Sequence, residues 1–422
     1  MNHDTVLALS AGIADRLAHP GIAPATVSTE GARQNLALGP IGIALLHIER
    51  AAAGLGPWQR AHDWLAAAAR RPFTSGADSH PFYGAPALAH VLACAAEGLP
   101  GAYARDLDLL DRQVLDDVQR RLDAAHRRID ARQLPALAEF DAIRGLAGFG
   151  GYLLRRDPAG PALRSVLDYC VRLTEPITHE GDTLPGWWTL AGPSGRPDDR
   201  FPGGHGNTGM AHGIGSVLAL LALCARRGTT VSGHRQALRT ILAWLDRWAT
   251  ATAQARTWPY WVTRDELRTG RLAPLGPRRP SWCYGTAGVA RAQQLAALAL
   301  GDPARRAVAE NALLDALTDP EQLWATTDSG LCHGFAGLTH LTARTAADAA
   351  PETARQLRAV LPDLLSTLLP LGSEPENAGG ALADSPVGAG LLDGAAGIGL
   401  GLLTASGTAP PHTHWDAFLL VA

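Results

Sequence analysis

The chain is short of cysteine, with five in 422 residues. So sparse and odd a count argues against a disulfide-stapled secreted scaffold. It directs attention to metal binding or catalysis for any cysteine that stands out. Aromatic residues are also few, at 6%, whereas alanine and leucine dominate, a composition that leans helical. No lysine and arginine tract is present, and 37 basic side chains stand against 40 acidic ones. Nothing therefore points to a nucleic-acid groove. No apolar run reaches the roughly 18 unbroken residues that a membrane span needs. The opening "MNHDTVLALSAGIADRLAHP" has no basic start, no long apolar core and no cleavage site, so it does not read as a secretory signal. The expectation is a cytoplasmic, mainly helical protein.

What the sequence does contain is a repeat. A small residue or glycine, two further residues and a second small residue precede an apolar, helix-like run, and this recurs seven times: 38–49, 83–97, 144–156, 212–224, 284–300, 333–345 and 393–406. Amphipathic stretches such as 57–71, 235–252 and 304–319 lie between the copies. A unit of this size cannot bury its apolar face alone and must stack on its neighbours. Helices that are apolar nearly all round belong to an inner layer, and amphipathic ones to an outer layer. The expected fold is all-α: a double-layered α/α toroid of about seven helical hairpins, with 1–422 as a single domain. An open solenoid is the structural runner-up. Glycine at each helix start should leave backbone N–H groups free to face a central cavity. Two inserts near 184–209 and 256–281, rich in Gly, Pro, Trp and Arg, read as ordered loops over the cavity mouth.

Two of the copies carry chemistry. "SWCYGTAG" and "LCHGFAG" each set a cysteine before a glycine-opened helix, and the second adds a histidine. Cys283, Cys332 and His333 are together a three-ligand set for zinc with a fourth position left open. The bland alternative is a pair of small buried apolar side chains, which is the better reading for Cys94, Cys170 and Cys224 within their apolar runs. His212, in "AHGIG", stands at another helix door and could move a proton near neutral pH; alternatively it only bonds within its own loop. Asp141, in "EFDAIRG", is either a helix cap or a functional carboxylate. Arg279 is either a solvated loop charge or a charge-assisted donor to a developing enolate. Trp282 and Tyr284 either pack or wall a channel. His340, two turns beyond His333, reads as a core histidine, and His47, His90 and His205 are weak candidates.

These motifs, with "FDAIRGLAG", the closing "LLDGAAGIGLGLL" and the seven glycine-opened helices, resemble the lanthipeptide cyclase (LanC-like) family from about residue 36 to the C-terminus. The resemblance implies an α/α toroid with one zinc ion per chain held by Cys283, Cys332 and His333. It implies His212 as the acid/base histidine, Asp141 as the carboxylate that orients it, and Arg279 as the site arginine. The implied activity is formation of thioether rings, in which precursor-peptide cysteines add to dehydroalanine or dehydrobutyrine. The implied partners are a dehydrated precursor peptide, a separate dehydratase and an exporter, with membrane association only through such partners. No kinase or lyase region is visible, so the chain reads as a stand-alone cyclase. Transfer of glutathione to dehydrated residues uses the same chemistry and stays open. So does a non-catalytic zinc-binding scaffold.

Overall fold

The computed structural model describes residues 1–22, 30–251, 256–274, 276, 278–406 and 411–422. Residues 252, 275 and 277 of the stretches named above fall outside that set. Its contacts group the chain into two compact units, 1–114 with 326–415 and 115–325 with 416–422.

All seven glycine-opened segments are helices. In the first unit they run over Pro40–Ala52, Ala85–Gly98, Phe335–Asp348 and Ala395–Ser406. In the second they run over Leu146–Arg156, Ile214–Arg226 and Thr286–Leu300. Ile214–Arg226 shows why they lie inside: its residues from Ile214 to Cys224 are all buried. Each Leu or Ile removed from water in such a helix contributes about 1.5–3 kcal/mol. The intervening helices bury one stripe only. In His234–Trp248 the buried positions Ala237, Leu238, Ile241, Leu242, Leu245 and Trp248 follow the three-four spacing of an amphipathic helix. Trp58–Ala68, Pro161–Arg172 and Pro351–Ser366 are built alike.

Several helix doors differ from expectation in one respect: their N–H groups are not free. Before Leu146–Arg156, Thr286–Leu300, Phe335–Asp348 and Ala395–Ser406 the loop folds back over the helix start, and its carbonyls accept N–H groups there. Phe335, Ala336 and Gly337 donate to Asp328, Ser329 and Gly330 (3.1–3.2 Å), and Ala395, Ala396 and Gly397 donate to Gly388, Ala389 and Gly390 (3.1–3.3 Å). Gly288 donates to Ser281 in the same way (3.1 Å). Buried main-chain donors need partners, and the returning loop supplies them. A Cβ on Gly337 would meet the Leu331 carbonyl, and one on Gly397 the Leu391 carbonyl. Glycine at the doors therefore serves this close approach.

Within the first unit, the N-terminal helix His3–Arg16 packs on Pro375–Ala383 and Ala395–Ser406. Within the second, the C-terminal tail is tied down by buried Arg291, whose Nε and Nη2 donate to the Val421 carbonyl at 2.9 and 2.7 Å. The two inserts are not independent loops. His205–Asn207 from one pairs antiparallel with Trp261–Thr263 from the other, Gly206 opposite Val262. A Thr263–Glu266 capping box then starts the short helix Arg264–Thr269. Among the described residues, no helix is long and apolar enough to cross a membrane.

Candidate active site

The 115–325 unit brings together two residues expected from sequence. Asp141 is fully buried. Its Oδ1 accepts the N–H groups of Arg144 and Gly145 at 2.6 and 2.8 Å, which fixes the carboxylate. Its Oδ2 lies 2.6 Å from His212 Nδ1. Asp141 thus holds the turn before Leu146–Arg156, whose N-cap is Gly145, and meets the His212 ring with its second oxygen. The Ala142 N–H donates to the Ala211 carbonyl at 3.1 Å, locking the two segments side by side. Nδ1–H donated to Asp141 fixes the orientation of the His212 ring and leaves Nε2 as the nitrogen that this carboxylate does not engage.

Cys283 belongs to the same assembly. Its carbonyl accepts from Met210 at 3.0 Å and from Ala211 at 3.4 Å, so its loop is stitched to the residues just before His212. The Cys283 Sγ lies 3.5 Å from the Ser281 Oγ. Trp282 takes the packing role: its indole is buried and donates to the Leu419 carbonyl at 3.0 Å. Tyr284 is only half buried. Its ring packs against Tyr260 and Trp261, and its hydroxyl accepts from Asn207 Nδ2 at 3.1 Å.

Arg279 is held by its backbone, whose carbonyl accepts from the Tyr260 hydroxyl at 3.0 Å. It lines a cavity of about 560 Å³ together with Arg278, Gly285 and Thr286. Sequence reasoning passed over Arg278, whose guanidinium lies over the Tyr260 ring, 4.5 Å from its centroid. His205, a weak candidate from sequence, is buried with its Nδ1 facing the Ala191 carbonyl at 2.9 Å. Burial holds the His205 pKa down at about 4 against the pull of that hydrogen bond, so this ring is neutral.

The 1–114 with 326–415 unit carries the other pair. Cys332 is half buried, and its N–H donates to the Leu392 carbonyl at 2.8 Å, which joins its loop to the "LLDG" turn. Two carboxylates flank His333: Asp328 Oδ2 is 3.5 Å from Nε2, and Asp393 Oδ1 is 3.3 Å from Nδ1. Neither aspartate was singled out by sequence. The remaining cysteines behave as core: Cys94, Cys170 and Cys224 are buried thiols, and burial pushes the Cys224 pKa up to about 12. His340 is buried as well, with its ring 4.7 Å from that of Trp415.

Cys332 and His333 stand side by side in this unit, and Cys283 offers a second thiol in the other. Two thiols and an imidazole are donors of the type zinc prefers. His333 Nδ1 is buried and makes no hydrogen bond, as fits a nitrogen reserved for a metal.

The model of the lanthionine synthetase C-like protein family matches residues 32–420. The chain belongs to this family. A curated relative, the nisin biosynthesis protein NisC of Lactococcus lactis subsp. lactis, is 24% identical over 246 residues. That alignment spans 57% of this chain and 57% of the relative. A solved structure named nisin cyclase superposes with a TM-score of 0.75 at 19% identity, covering 99% of this chain and 97% of the other. That match carries the fold, and the all-α toroid expected from the repeats is borne out by it.

Proposed function

We propose that this LanC-like chain is a zinc-dependent lanthipeptide cyclase, acting as one catalytic domain on a dehydrated precursor peptide made by a separate dehydratase. The observation that carries the reading is the Asp141–His212 pair, stitched through Met210 and Ala211 to the Cys283 loop. A histidine oriented by a buried carboxylate and tied to the Cys283 loop, in a member of this family, supports the reading of His212 as the proton carrier.

Cys283, Cys332 and His333 would hold one zinc ion. When bound there, zinc supplies a Lewis acid that lowers the pKa of a substrate thiol, so that thiolate is available at neutral pH. The rest is the work of the chain. The thiolate sulfur forms a bond to the β-carbon of dehydroalanine or dehydrobutyrine as the C=C π bond breaks, and charge moves to the amide oxygen. Arg279 donates to that oxygen. Asp141 holds His212 Nδ1–H, and Nε2 carries the proton that ends on the α-carbon. The thiol gives up one proton and the α-carbon gains one, so the addition balances without a co-reactant. The cavity beside Arg279 holds the peptide so that ring closure is effectively intramolecular.

The test is incubation of the purified protein with a dehydrated peptide that carries a free cysteine. Ring closure leaves peptide mass unchanged and abolishes labelling by a thiol alkylator. Retention of the label at full enzyme concentration sinks the proposal. A gain of one glutathione mass when glutathione is present, without ring closure, reassigns the chain to glutathione transfer.

A further inference from the structure

We propose that Asp328 is the positioning residue of the metal centre: it fixes the His333 ring with the proton on Nε2 and thereby offers Nδ1 to zinc. This rests on the zinc site proposed above and goes beyond it by naming the group that makes His333 a competent ligand.

Asp328 stands six residues before Gly334, the glycine that opens the Phe335–Asp348 helix. One carboxylate oxygen is used locally. Oδ1 accepts the Gly330 N–H at 3.1 Å, and the Asp328 carbonyl accepts the Phe335 N–H at 3.1 Å. The carboxylate is thus held through Oδ1 and the residue's backbone through its carbonyl, and a Cβ on Gly334 would meet Oδ1. The second oxygen, Oδ2, faces His333 Nε2 at 3.5 Å. On the other side of the ring, Nδ1 is buried and makes no hydrogen bond, although Asp393 Oδ1 is 3.3 Å away. A buried nitrogen in that state lacks a partner. A ligating histidine usually gives its other N–H to a carboxylate, which sets tautomer and orientation together.

The chain contains its own control. Asn207 stands six residues before Gly213, the glycine that opens another inner helix. Its Oδ1 accepts the Gly209 N–H at 3.0 Å, so the same turn is built with an amide. The second head atom of Asn207 is Nδ2, a donor. It faces His205 Nε2 at 3.4 Å, while His205 Nδ1 faces the Ala191 carbonyl at 2.9 Å. His205 is therefore held with its proton on Nδ1. The turn needs only Oδ1, which Asn and Asp supply equally. What differs is the polarity shown to the histidine: an amide donor selects the Nδ1–H ring, and a carboxylate selects the Nε2–H ring. Only the second leaves Nδ1 available for a metal.

The experiment is zinc binding by Asp328→Asn, read by competition with a chromophoric chelator on the full-length protein. The variant keeps the turn oxygen and inverts the polarity of the other head atom. The expected result is a zinc Kd raised about 10- to 100-fold, with the circular dichroism and thermal midpoint of the zinc-free protein unchanged. Asp328→Ala, which also loses the turn, should weaken zinc to a similar extent and lower the zinc-free midpoint as well. A Kd for Asp328→Asn within twofold of wild type overturns the inference and leaves Asp328 a turn residue. So does weakened binding in Asp393→Asn with none in Asp328→Asn, which would put zinc on Nε2. Wild-type protein that binds no zinc, or whose zinc survives Cys332→Ser, brings down the zinc reading itself, and that outcome is distinct from the other two.

Discussion

His212 Nδ1 lies 2.6 Å from Asp141 Oδ2, and these two residues come from different repeats. The carboxylate is buried and already holds two backbone N–H groups, so it cannot swing away. Replacing His212 by alanine removes the proposed proton carrier while leaving the backbone bond between Ala142 and Ala211 in place. The expected result is a loss of about 10²- to 10⁴-fold in kcat with little change in KM, measured as the rate of thiol loss on a dehydrated peptide. A KM effect alone would make His212 a binding residue.

Asp141→Asn keeps the shape but weakens the grip on the ring. Loss of a charge-assisted hydrogen bond is worth about 1.5–3 kcal/mol, so kcat should fall by about tenfold or more. An unchanged kcat would show that Asp141 only caps its turn.

Removal of the metal should stop the reaction. Chelation is expected to abolish ring closure, and added zinc to restore it. Cys283→Ser should lower the bound zinc measured by elemental analysis while circular dichroism is retained. Zinc content equal to wild type would return Cys283 to the core reading.

Two glycines separate backbone conformation from close approach. Gly285 has φ +107°, and a Cβ there would meet the Arg279 carbonyl. Gly301 has φ +69° with open space around it. Gly301→Ala should cost about 1 kcal/mol, the ordinary left-handed penalty. Gly285→Ala should cost on the order of 3 kcal/mol, because strain and collision add. Urea unfolding of both variants checks the difference, and equal costs would show that the Arg279 loop yields freely.

Acid should destabilise the protein through its buried neutral histidines. Burial lowers the pKa of both His205 and His47 from 6.5 to about 4. As pH falls through 6.5, the unfolded chain takes up these protons and the folded chain does not. The stability tied to each neutral ring is complete above about pH 6.5 and is lost progressively toward pH 4, on the order of 3 kcal/mol per ring. The slope of unfolding free energy with pH over that window should flatten in His205→Asn. An unaltered slope would mean that this ring titrates alike in both states.

Much of this protein is written locally. The seven helix doors, the apolar runs behind them and the two marked cysteines are legible because three- and four-residue spacing and a glycine punctuation mark are properties of a few consecutive residues. "AHGIG" and "LCHGFAG" likewise announce their histidines without help from the rest of the chain. The partners are another matter. That Asp141 grips His212, that Trp282 donates to the Leu419 carbonyl, and that His205–Asn207 from one insert pairs with Trp261–Thr263 from the other were decided only in the folded chain. These contacts join residues far apart in sequence, and no local propensity records them. The returning loops that consume the helix-door N–H groups, and the choice of Asp328 over Asn at the His333 turn, belong to the same class. In sequence, Asp328 is one more turn-former. Only the fold shows which histidine its second oxygen meets.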